Sequence, residues 1–323
     1  MSAHKRLRIF QRALARYGLY TFAWLFKRLP LGFVRFCSSI LIAIGYRCTI
    51  RQRKIAEESL DIAFGDAKSK DEKKQIVKQC FENFGRGMTE MLYYMAHPKE
   101  VEEIITFEGK EYLDQACAQN RGVIAVTAHY GNFPLMMLAL AQMGYNASSI
   151  IRHTRDEELS DYLEKKRTEV GLKTIYTKPR QACVTNSLKE LRENGLVFIP
   201  IDQNFGSGGG VYVNFFGQKA ATATGPAVFA MRTGAIILPM FIVRQGDGRH
   251  KIIIEPPIDL QDGNDERQVI TATMAKITAL IEQYIRRYPH EWAWMHRRWK
   301  SRPSDNIQSK EGDHGQRSTK ERI

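Results

Sequence analysis

The chain has 323 residues, a formal net charge of +13 and 43% hydrophobic residues. This apolar content supports a sizeable core and excludes an intrinsically disordered protein. The length allows one large α/β domain or two small ones. The scattered cysteines form no C-x-x-C pair and no metal-ligand spacing. They favour reduced thiols facing the cytosol over a disulfide framework.

Residues 1–54 contain twelve Lys or Arg and no Asp or Glu, which nearly matches the net charge of the whole chain. Apolar side chains recur among the basic ones at near-helical spacing. This pattern is typical of a basic amphipathic helix that lies in the headgroup plane of an anionic membrane. A basic helix packed on the domain is one alternative. A nucleic-acid-binding arm is disfavoured because the segment is rich in aromatic and aliphatic residues.

The longest charge-free run in this segment, residues 36–46, has eleven residues, whereas a transmembrane helix needs about 20. We therefore predict monotopic attachment by two helices broken at Pro30 and Gly32. A tilted, partly inserted helix is the alternative. The predicted organisation is a set of membrane-associating helices over residues 1–50, a globular domain over 51–303, and a polar, disordered tail over 304–323.

The next informative stretch runs from residue 122 to residue 136. Residues 123–128 predict a buried strand, Gly131 and Asn132 predict a turn, and an apolar helix follows. His129 therefore lies at a strand end, where α/β proteins commonly place their chemistry. An imidazole there can act as a general base, because it titrates near neutral pH. A hydrogen-bonded structural histidine is the alternative interpretation.

Two later strand ends also carry polar side chains. Arg152 ends the strand after His129, where a guanidinium can bind a lipid phosphate or a developing oxyanion; a surface arginine is the alternative. Residues 196–201 predict another buried strand, followed directly by Asp202 and Gln203. Asp202 is expected to hydrogen-bond Arg152 or to help hold the pocket, and the alternative is a turn or helix cap.

Strands at residues 235–244 and 250–255, joined by a QGDGR turn, predict a β-hairpin near the end of the domain. Before the hairpin, strands alternate with helices. This order predicts an α/β fold, with a mixed β-sheet flanked by helices and preceded by the N-terminal helical segment.

The segment AHYGNFPLM around His129 resembles the His-x-Gly-Asn-Trp-Glu segment of the lipid A biosynthesis acyltransferases, within the lysophospholipid acyltransferase superfamily. Further matches follow in the family's order, at Asp202-Gln203, at the TGP helix start of residues 224–226, and at HRRWK over residues 296–300. Trp294 precedes the last match. Tryptophan beside arginine suits a membrane interface, and packing on the sheet is the alternative.

The sequence departs from the family motif at one position. The family carries an acidic residue five positions after the histidine, which orients the imidazole in the way a triad acid does. Here that position is Pro134, which has no side-chain acceptor. Glu90, late in a predicted helix over residues 68–92, is a candidate replacement if it folds back toward His129. Its other interpretation is a solvated helix residue.

The resemblance implies a glycerolipid acyltransferase-like fold and the transfer of a fatty acyl chain from a thioester to a hydroxyl. The donor is acyl-carrier protein or acyl-CoA, and the acceptor is a lipid A precursor or a related glycolipid or lysolipid. No metal, bound cofactor or nucleic acid is implied. The other expected partner is an anionic membrane surface, at the cytoplasmic face of a bacterial inner membrane.

The resemblance also assigns the site residues. Those expected to act in catalysis are His129, Asn132, Arg152 and Asp202. Those expected to bind substrate are Gln203, Thr224, Gly225 and Arg232.

Two other classes of protein remain open. Pro134 favours a catalytically silent homologue that binds a lipid or a partner at the membrane, and the basic N-terminus favours a membrane-surface scaffold. An apolar pocket beside His129 would support the enzyme over both alternatives.

Overall fold

The computed structural model describes residues 3–154, 156–206, 208–301 and 303. The tail predicted for residues 304–323 lies outside the described residues. The helices are α1 (Ala3–Phe26), α2 (Leu31–Cys48), α3 (Ile50–Phe64), α4 (Lys70–Ala96), α5 (Val101–Ile104), α6 (Lys110–Ala118), α7 (Phe133–Gln142), α8 (Glu157–Glu169), α9 (Arg180–Arg192), α10 (Gly225–Thr233) and α11 (Glu266–Arg287).

The strands are β1 (Ile105–Glu108), β2 (Val123–Thr127), β3 (Ala147–Ile151), β4 (Lys173–Tyr176), β5 (Leu196–Pro200), β6 (Val211–Phe215), β7 (Gln218–Thr222), β8 (Ile236–Arg244) and β9 (His250–Ile254). The main sheet has the order β1-β9-β8-β2-β5-β3-β4, while β6 and β7 form a separate pair. Every neighbouring pair in the main sheet is parallel except β8 and β9. The predicted mixed α/β sheet and its late hairpin are confirmed.

The sheet is covered on both faces, as a mainly parallel sheet requires. Side chains alternate along β2, so that Ile124 and Val126 lie in one core and Val123 and Ala125 lie in the other. Helices α10 and α11 contribute to the first core, and α6 and α7 contribute to the second. This double burial explains why β2 is apolar throughout.

The C-terminal tryptophans belong to the first of these cores. Trp292 and Trp294 are fully buried, and their rings meet edge to face with centroids 4.6 Å apart. Trp299 is also buried and stacks on Phe215. Packing on the domain is therefore the correct interpretation of the tryptophan-arginine segment, and the membrane-interface interpretation is wrong for these rings.

Helix α2 packs along α4 and leaves its other face exposed. Gly85 of α4 permits a close approach, because a Cβ there would lie 2.6 Å from the Ile42 side chain. Helix α2 is long and apolar enough to cross a membrane by length and composition, and only 11% of it is buried. An exposed apolar stripe runs along it, and we call this the α2 stripe; it consists of Phe33, Phe36, Ile40 and Ile44.

Candidate active site

The candidate site lies where the carboxyl ends of β2 and β5 meet. Thr127 pairs with Pro200, so His129 and Asp202, each two residues further on, are brought together. One Asp202 oxygen accepts a hydrogen bond from the His129 backbone amide at 2.9 Å, and the other lies 2.8 Å from His129 Nδ1. These contacts hold both the loop and the ring, and they leave Nε2 as the nitrogen that can accept a proton.

Asp202 and His129 shift each other's pKa in opposite directions. Burial alone would raise the pKa of Asp202, but the charge of His129 and the hydrogen bonds from His129 and Trp292 hold it below its ordinary range. Burial alone would lower the pKa of His129, but the charge of Asp202 and the hydrogen bond to it outweigh burial, and the pKa is raised. Asp202 therefore stays ionised and stabilises the imidazolium that forms when His129 takes a proton.

The C-terminal segment contacts both members of this pair. The indole Nε1 of Trp292 donates to Asp202 Oδ2 at 2.7 Å. Trp292 also forms an antiparallel β-bridge with Tyr130, and the Ala293 amide donates to the His129 carbonyl at 3.1 Å. The loop that carries the histidine is thus held by main-chain bonds to the C-terminal segment and by the Asp202 carboxylate.

Gln203 lies against the reactive side of the histidine. Its side-chain nitrogen is 3.0 Å from His129 Nε2 and 3.3 Å from His296 Nε2. With Nδ1 donating to Asp202, Nε2 of His129 is the acceptor in the first contact. Gln203 is exposed, so its amide lies between His129 Nε2 and solvent.

A buried arginine anchors the loop that carries Asp202 and Gln203. Arg298 donates to the carbonyl of Gln203 at 3.2 Å and to that of Ala221 at 2.5 Å, and to Thr222 Oγ1 at 2.5 Å. Burial lowers its pKa to about 10, so the guanidinium remains charged at neutral pH. Arg298, the second arginine of the HRRWK segment, therefore holds the loop that carries Asp202 and Gln203.

A mainly apolar cavity of about 370 Å³ opens beside His129. Arg152 also lines it, so the structure brings the predicted base and the predicted guanidinium to one cavity. The apolar lining includes Met88, Met91, Leu92, Met95, Phe133, Met137 and Leu163. Its size lies within the range of ligand pockets, roughly 300–1,000 Å³.

Pro134 lies in the first turn of α7, where the N-cap is Asn132. Proline is well accommodated there, because a first-turn N–H has no partner within the helix. Pro134 also lines the cavity. The position that carries an acid in the family motif is apolar surface here, and the Asp202 carboxylate from across the sheet contacts the imidazole.

Glu90 does not contact His129 in the hydrogen bonds and ion pairs of the described residues. Its carboxylate accepts a hydrogen bond from each Nη atom of Arg244, at 2.7 and 2.8 Å. It also lies 3.1 Å from His250 Nε2. Asn132 donates to it at 3.2 Å. Burial would raise the pKa of Glu90, but the hydrogen bonds from His250 and Arg244 outweigh burial and lower it to about 2. Among the described residues, the direct hydrogen bond between Glu90 and the histidine loop is the one with Asn132.

The remaining assigned residues are placed differently. Asn132 is buried, caps α7 through a bond from the Leu135 amide, and has no place in the cavity lining. Thr224 precedes α10, Gly225 begins it, and Arg232 is exposed near its end. None of these three is among the described residues that line the cavity beside His129. Their roles in substrate binding stay predictions.

Two supporting residues were not found by the sequence reasoning. Trp292 lies two positions before the tryptophan of the matched ending, and nothing local distinguishes it from Trp294. Arg298 lies within a basic run, and nothing in that run distinguishes it. Both side chains contact the loop of Asp202 and Gln203, at least 90 residues earlier in the chain, so only the folded chain shows these contacts.

A strand-end histidine held by a buried carboxylate lies beside a mainly apolar cavity that Arg152 and Arg167 also line. This arrangement defines a class of site suited to moving an acyl chain onto a hydroxyl. Residues 1–301 match the family described as bacterial lipid A biosynthesis acyltransferase. The chain belongs to this family and is an acyltransferase of lipid A and glycolipid biosynthesis.

Curated relatives cover most of the chain at low identity. The lipid A biosynthesis lauroyltransferase of Escherichia coli (strain K12) is 26% identical over 87% of this chain and 89% of its own. The palmitoleoyltransferase of the same strain is also 26% identical, over 87% and 89%. A phosphatidylinositol mannoside acyltransferase of Mycobacterium tuberculosis (strain CDC 1551 / Oshkosh) is 25% identical over 68% of each chain.

Proposed function

We propose that the protein transfers a fatty acyl chain from acyl-carrier protein to a hydroxyl of a membrane glycolipid, with His129 as the general base. The observation that carries this proposal is the pairing of His129 with the buried Asp202 at the mouth of the apolar cavity. The pairing supplies an oriented base without the usual motif acid. It therefore supports a catalyst over the silent homologue that Pro134 favours.

The proposed reaction is a direct transfer. The acceptor hydroxyl displaces the Gln203 amide and donates to His129 Nε2, and its oxygen attacks the thioester carbonyl as Nε2 takes the proton. A carbon–oxygen bond forms, and the carbon–sulfur bond then breaks. The proton on His129 passes to the departing thiolate. Asp202 balances the imidazolium while it exists.

Arg152 is placed to act on negative charge at the cavity. It is exposed and follows β3 directly, and it contributes a permanent positive charge to a lining that is otherwise mostly apolar. We propose that it stabilises the oxyanion of the tetrahedral intermediate or binds a phosphate of the acceptor. The acyl chain occupies the apolar part of the cavity.

The named relatives suggest which features of the substrates vary. Two of them differ in the acyl chain, lauroyl against palmitoleoyl, and a third acts on a phosphatidylinositol mannoside. A lipid A precursor is our first choice of acceptor, because the family description covers the chain to residue 301. A phosphorylated glycolipid of another type is the second.

We further propose that the enzyme works at the cytoplasmic face of the inner membrane with α2 lying in the interface. The α2 stripe provides the apolar surface for insertion. Helix α4, which packs along α2, carries Lys78, Glu82 and Arg86. Carrying these charges through the hydrocarbon core is unfavourable by about 2.5–3.5 kcal/mol for each lysine or arginine, so interfacial attachment fits this packing better than a span.

The test is acyl transfer by purified protein in detergent. Acyl-carrier protein loaded with chains of several lengths is the donor, and a lipid A precursor and a phosphatidylinositol mannoside are offered separately. We expect product from the native protein and a loss of at least a hundredfold in His129→Ala, since general-base catalysis contributes roughly 10²–10⁴-fold. Equal product from both proteins would exclude His129 as the base, and no product with any acceptor would contradict the proposal.

A further inference from the structure

A second cavity, of about 450 Å³, lies between α2 and α4 and shares no lining residue with the cavity beside His129. We call it the basic groove. Its lining side chains include Ile42, Tyr46, Arg47, Lys78, Glu82 and Arg86. Three of these are cations and one is an anion, so the groove has a net positive charge that the acyl-transfer reaction does not use.

The cations of the basic groove lack ion-pair partners within the part of the chain that the structure describes. Arg47, Lys78 and Arg86 form no ion pair with any residue that the structure describes. Glu82 lies one helical turn from Lys78 and from Arg86 but pairs with neither within 4.0 Å. Positive charges left together in a concave site attract an anion, and the attraction is strongest where low-dielectric walls focus the field.

A fourth cation approaches the groove from α3. The Arg53 guanidinium stacks over the ring of Tyr46, 4.7 Å from its centroid. Its Nε is buried and has no hydrogen-bond partner among the described residues. Arg53 thus places a further positive charge beside Tyr46, which lines the basic groove.

The groove also borders hydrocarbon-binding surface. Ile40, Ala43, Ile44 and Arg47 are spaced i, i+3, i+4 and i+7, so they lie on one side of α2. Ala43 and Arg47 line the basic groove, whereas Ile40 and Ile44 belong to the α2 stripe, with about half of each side chain exposed. A ligand with a negative head and apolar tails would satisfy both surfaces at once.

We propose that the basic groove binds the phosphate headgroup of an anionic membrane phospholipid, whose acyl chains lie along the α2 stripe. This lipid is distinct from the substrates at His129, and its binding rests on the interfacial attachment proposed above. An acidic carrier protein would complement the charges but not the adjoining stripe, and therefore fits less well. The bound lipid would fix the depth and the rotation of α2 in the interface.

The test compares two variants that each lose two arginines and one lysine. The groove variant is Arg47→Gln/Lys78→Gln/Arg86→Gln. The control variant is Arg192→Gln/Arg267→Gln/Lys276→Gln, whose residues are exposed and line neither cavity. Binding to vesicles of phosphatidylcholine, with and without phosphatidylglycerol, is measured by flotation. Thermal unfolding establishes that each variant is folded.

We expect the groove variant to bind the phosphatidylglycerol vesicles at least tenfold more weakly than the native protein. A basic residue near an anionic surface contributes about 1 kcal/mol, which is about fivefold in affinity. The control variant should change less than threefold, and neither variant should differ on pure phosphatidylcholine. Equal weakening in both variants, or in neither, would overturn the proposal.

Two further measurements identify the ligand that binds the basic groove. Dihexanoyl phosphatidylglycerol below its micelle concentration should protect the native protein against thermal unfolding more than the groove variant, whereas glycerol 3-phosphate alone should protect neither. Protection by glycerol 3-phosphate equal to that by the lipid would overturn the role of the α2 stripe. Loss of acyl-carrier protein binding with vesicle binding intact would overturn a lipid as the occupant. These assays use no acyl transfer, so a failure of the catalytic proposal would remain distinguishable.

Discussion

Two buried carboxylates, Asp202 and Glu90, lie on either side of the histidine loop, and both have a pKa below the ordinary range. Their partners differ. Asp202 holds an imidazole that lines the cavity, whereas Glu90 holds two arginines, the buried His250 and the cap Asn132. Both carboxylates contact an imidazole, but His129 lines the cavity, whereas His250 is buried and does not line it. Only the Asp202 pair can therefore exchange a proton with a molecule in that cavity. The partners, rather than burial or pKa, distinguish a catalytic pair from a structural one.

The change with the largest expected effect is Asp202→Asn. Asparagine is close in shape but neutral, so it can no longer stabilise the imidazolium or enforce the tautomer that leaves Nε2 free. We expect kcat/KM to fall by roughly 10³-fold, within the range known for such pairs, with unfolding temperature changed far less. A loss of less than tenfold would show that the base works without its carboxylate.

The pH profile sharpens this prediction. Because His129 must be neutral to act and its pKa is raised by Asp202, the native enzyme should lose activity as pH falls through a value above 6.5. In Asp202→Asn the raising charge is absent, so the acid limb of kcat/KM should move to lower pH. A limb that stays in place would mean that another group titrates there.

Glu90→Gln should lower the stability of the protein much more than its activity. Removing one member of a buried ion pair leaves uncompensated charge, at a cost of about 3–5 kcal/mol, so the free energy of unfolding should fall by that order. The remaining folded protein should keep kcat within about tenfold, since Glu90 contacts the loop through Asn132. A Glu90→Gln protein with native stability and no activity would contradict the comparison.

The same carboxylate makes stability depend on pH. Its folded pKa is lowered from 4.5 to about 2, so its stabilisation is present above pH 4.5 and is lost as pH falls from 4.5 toward about 2. Glu90→Gln should therefore flatten the acid limb of stability measured by denaturant titration. Lys219→Gln, at an exposed residue of β7, serves as the control and should leave the limb unchanged.

Trp292→Phe should have an intermediate effect. It keeps most of the ring packing but removes the indole N–H from Asp202, and a hydrogen bond to a charged group contributes about 1.5–3 kcal/mol. We expect a stability loss of that order and a smaller fall in kcat/KM than in Asp202→Asn. Trp294→Phe is the matched control, because its indole donates to the Pro289 carbonyl instead. Equal pH profiles for the two variants would argue against tuning of Asp202 by Trp292.

Much of the sheet could be predicted from local patterns. The runs at β2, β5, β8 and β9 are short, β-rich and bounded by turn residues, and the QGDGR turn identified the hairpin. The sequence did not predict β7, because its small residues continue without a break to the start of α10. Its pairing with β6 depends on contacts that no alternation in the sequence displays.

The site was predictable in its parts but not in its pairing. Strand ends marked His129, Arg152 and Asp202 as functional candidates, and the structure places His129 and Arg152 at one cavity and Asp202 against His129. The sequence left Asp202 either to bond Arg152 or to help hold the pocket, and it offered Glu90 as a candidate replacement acid. Among the described residues, Asp202 instead bonds His129, and Glu90 bonds Arg244 and Asn132. The pairing of Asp202 with His129 was not predictable because strand order is not encoded locally. β5 enters the sheet directly beside β2, with β3 outside it, and this places Asp202 against His129.

The smallest expected effect belongs to Pro134→Ala, at the position where the family motif has its acid. If Asp202 is the sole carboxylate that orients the histidine, removing the proline ring changes only cavity surface and first-turn backbone freedom, and substitutions of that kind usually fall within about 0.5 kcal/mol. We expect kcat/KM within about threefold of the native value and an unchanged acid limb. Adding this change to Asp202→Asn should then multiply the two losses, since the two side chains have no shared partner. If the loss of kcat/KM in the double variant differs strongly from the product of the two single losses, position 134 still supports the imidazole. Asp202 and position 134 would then share the orienting role.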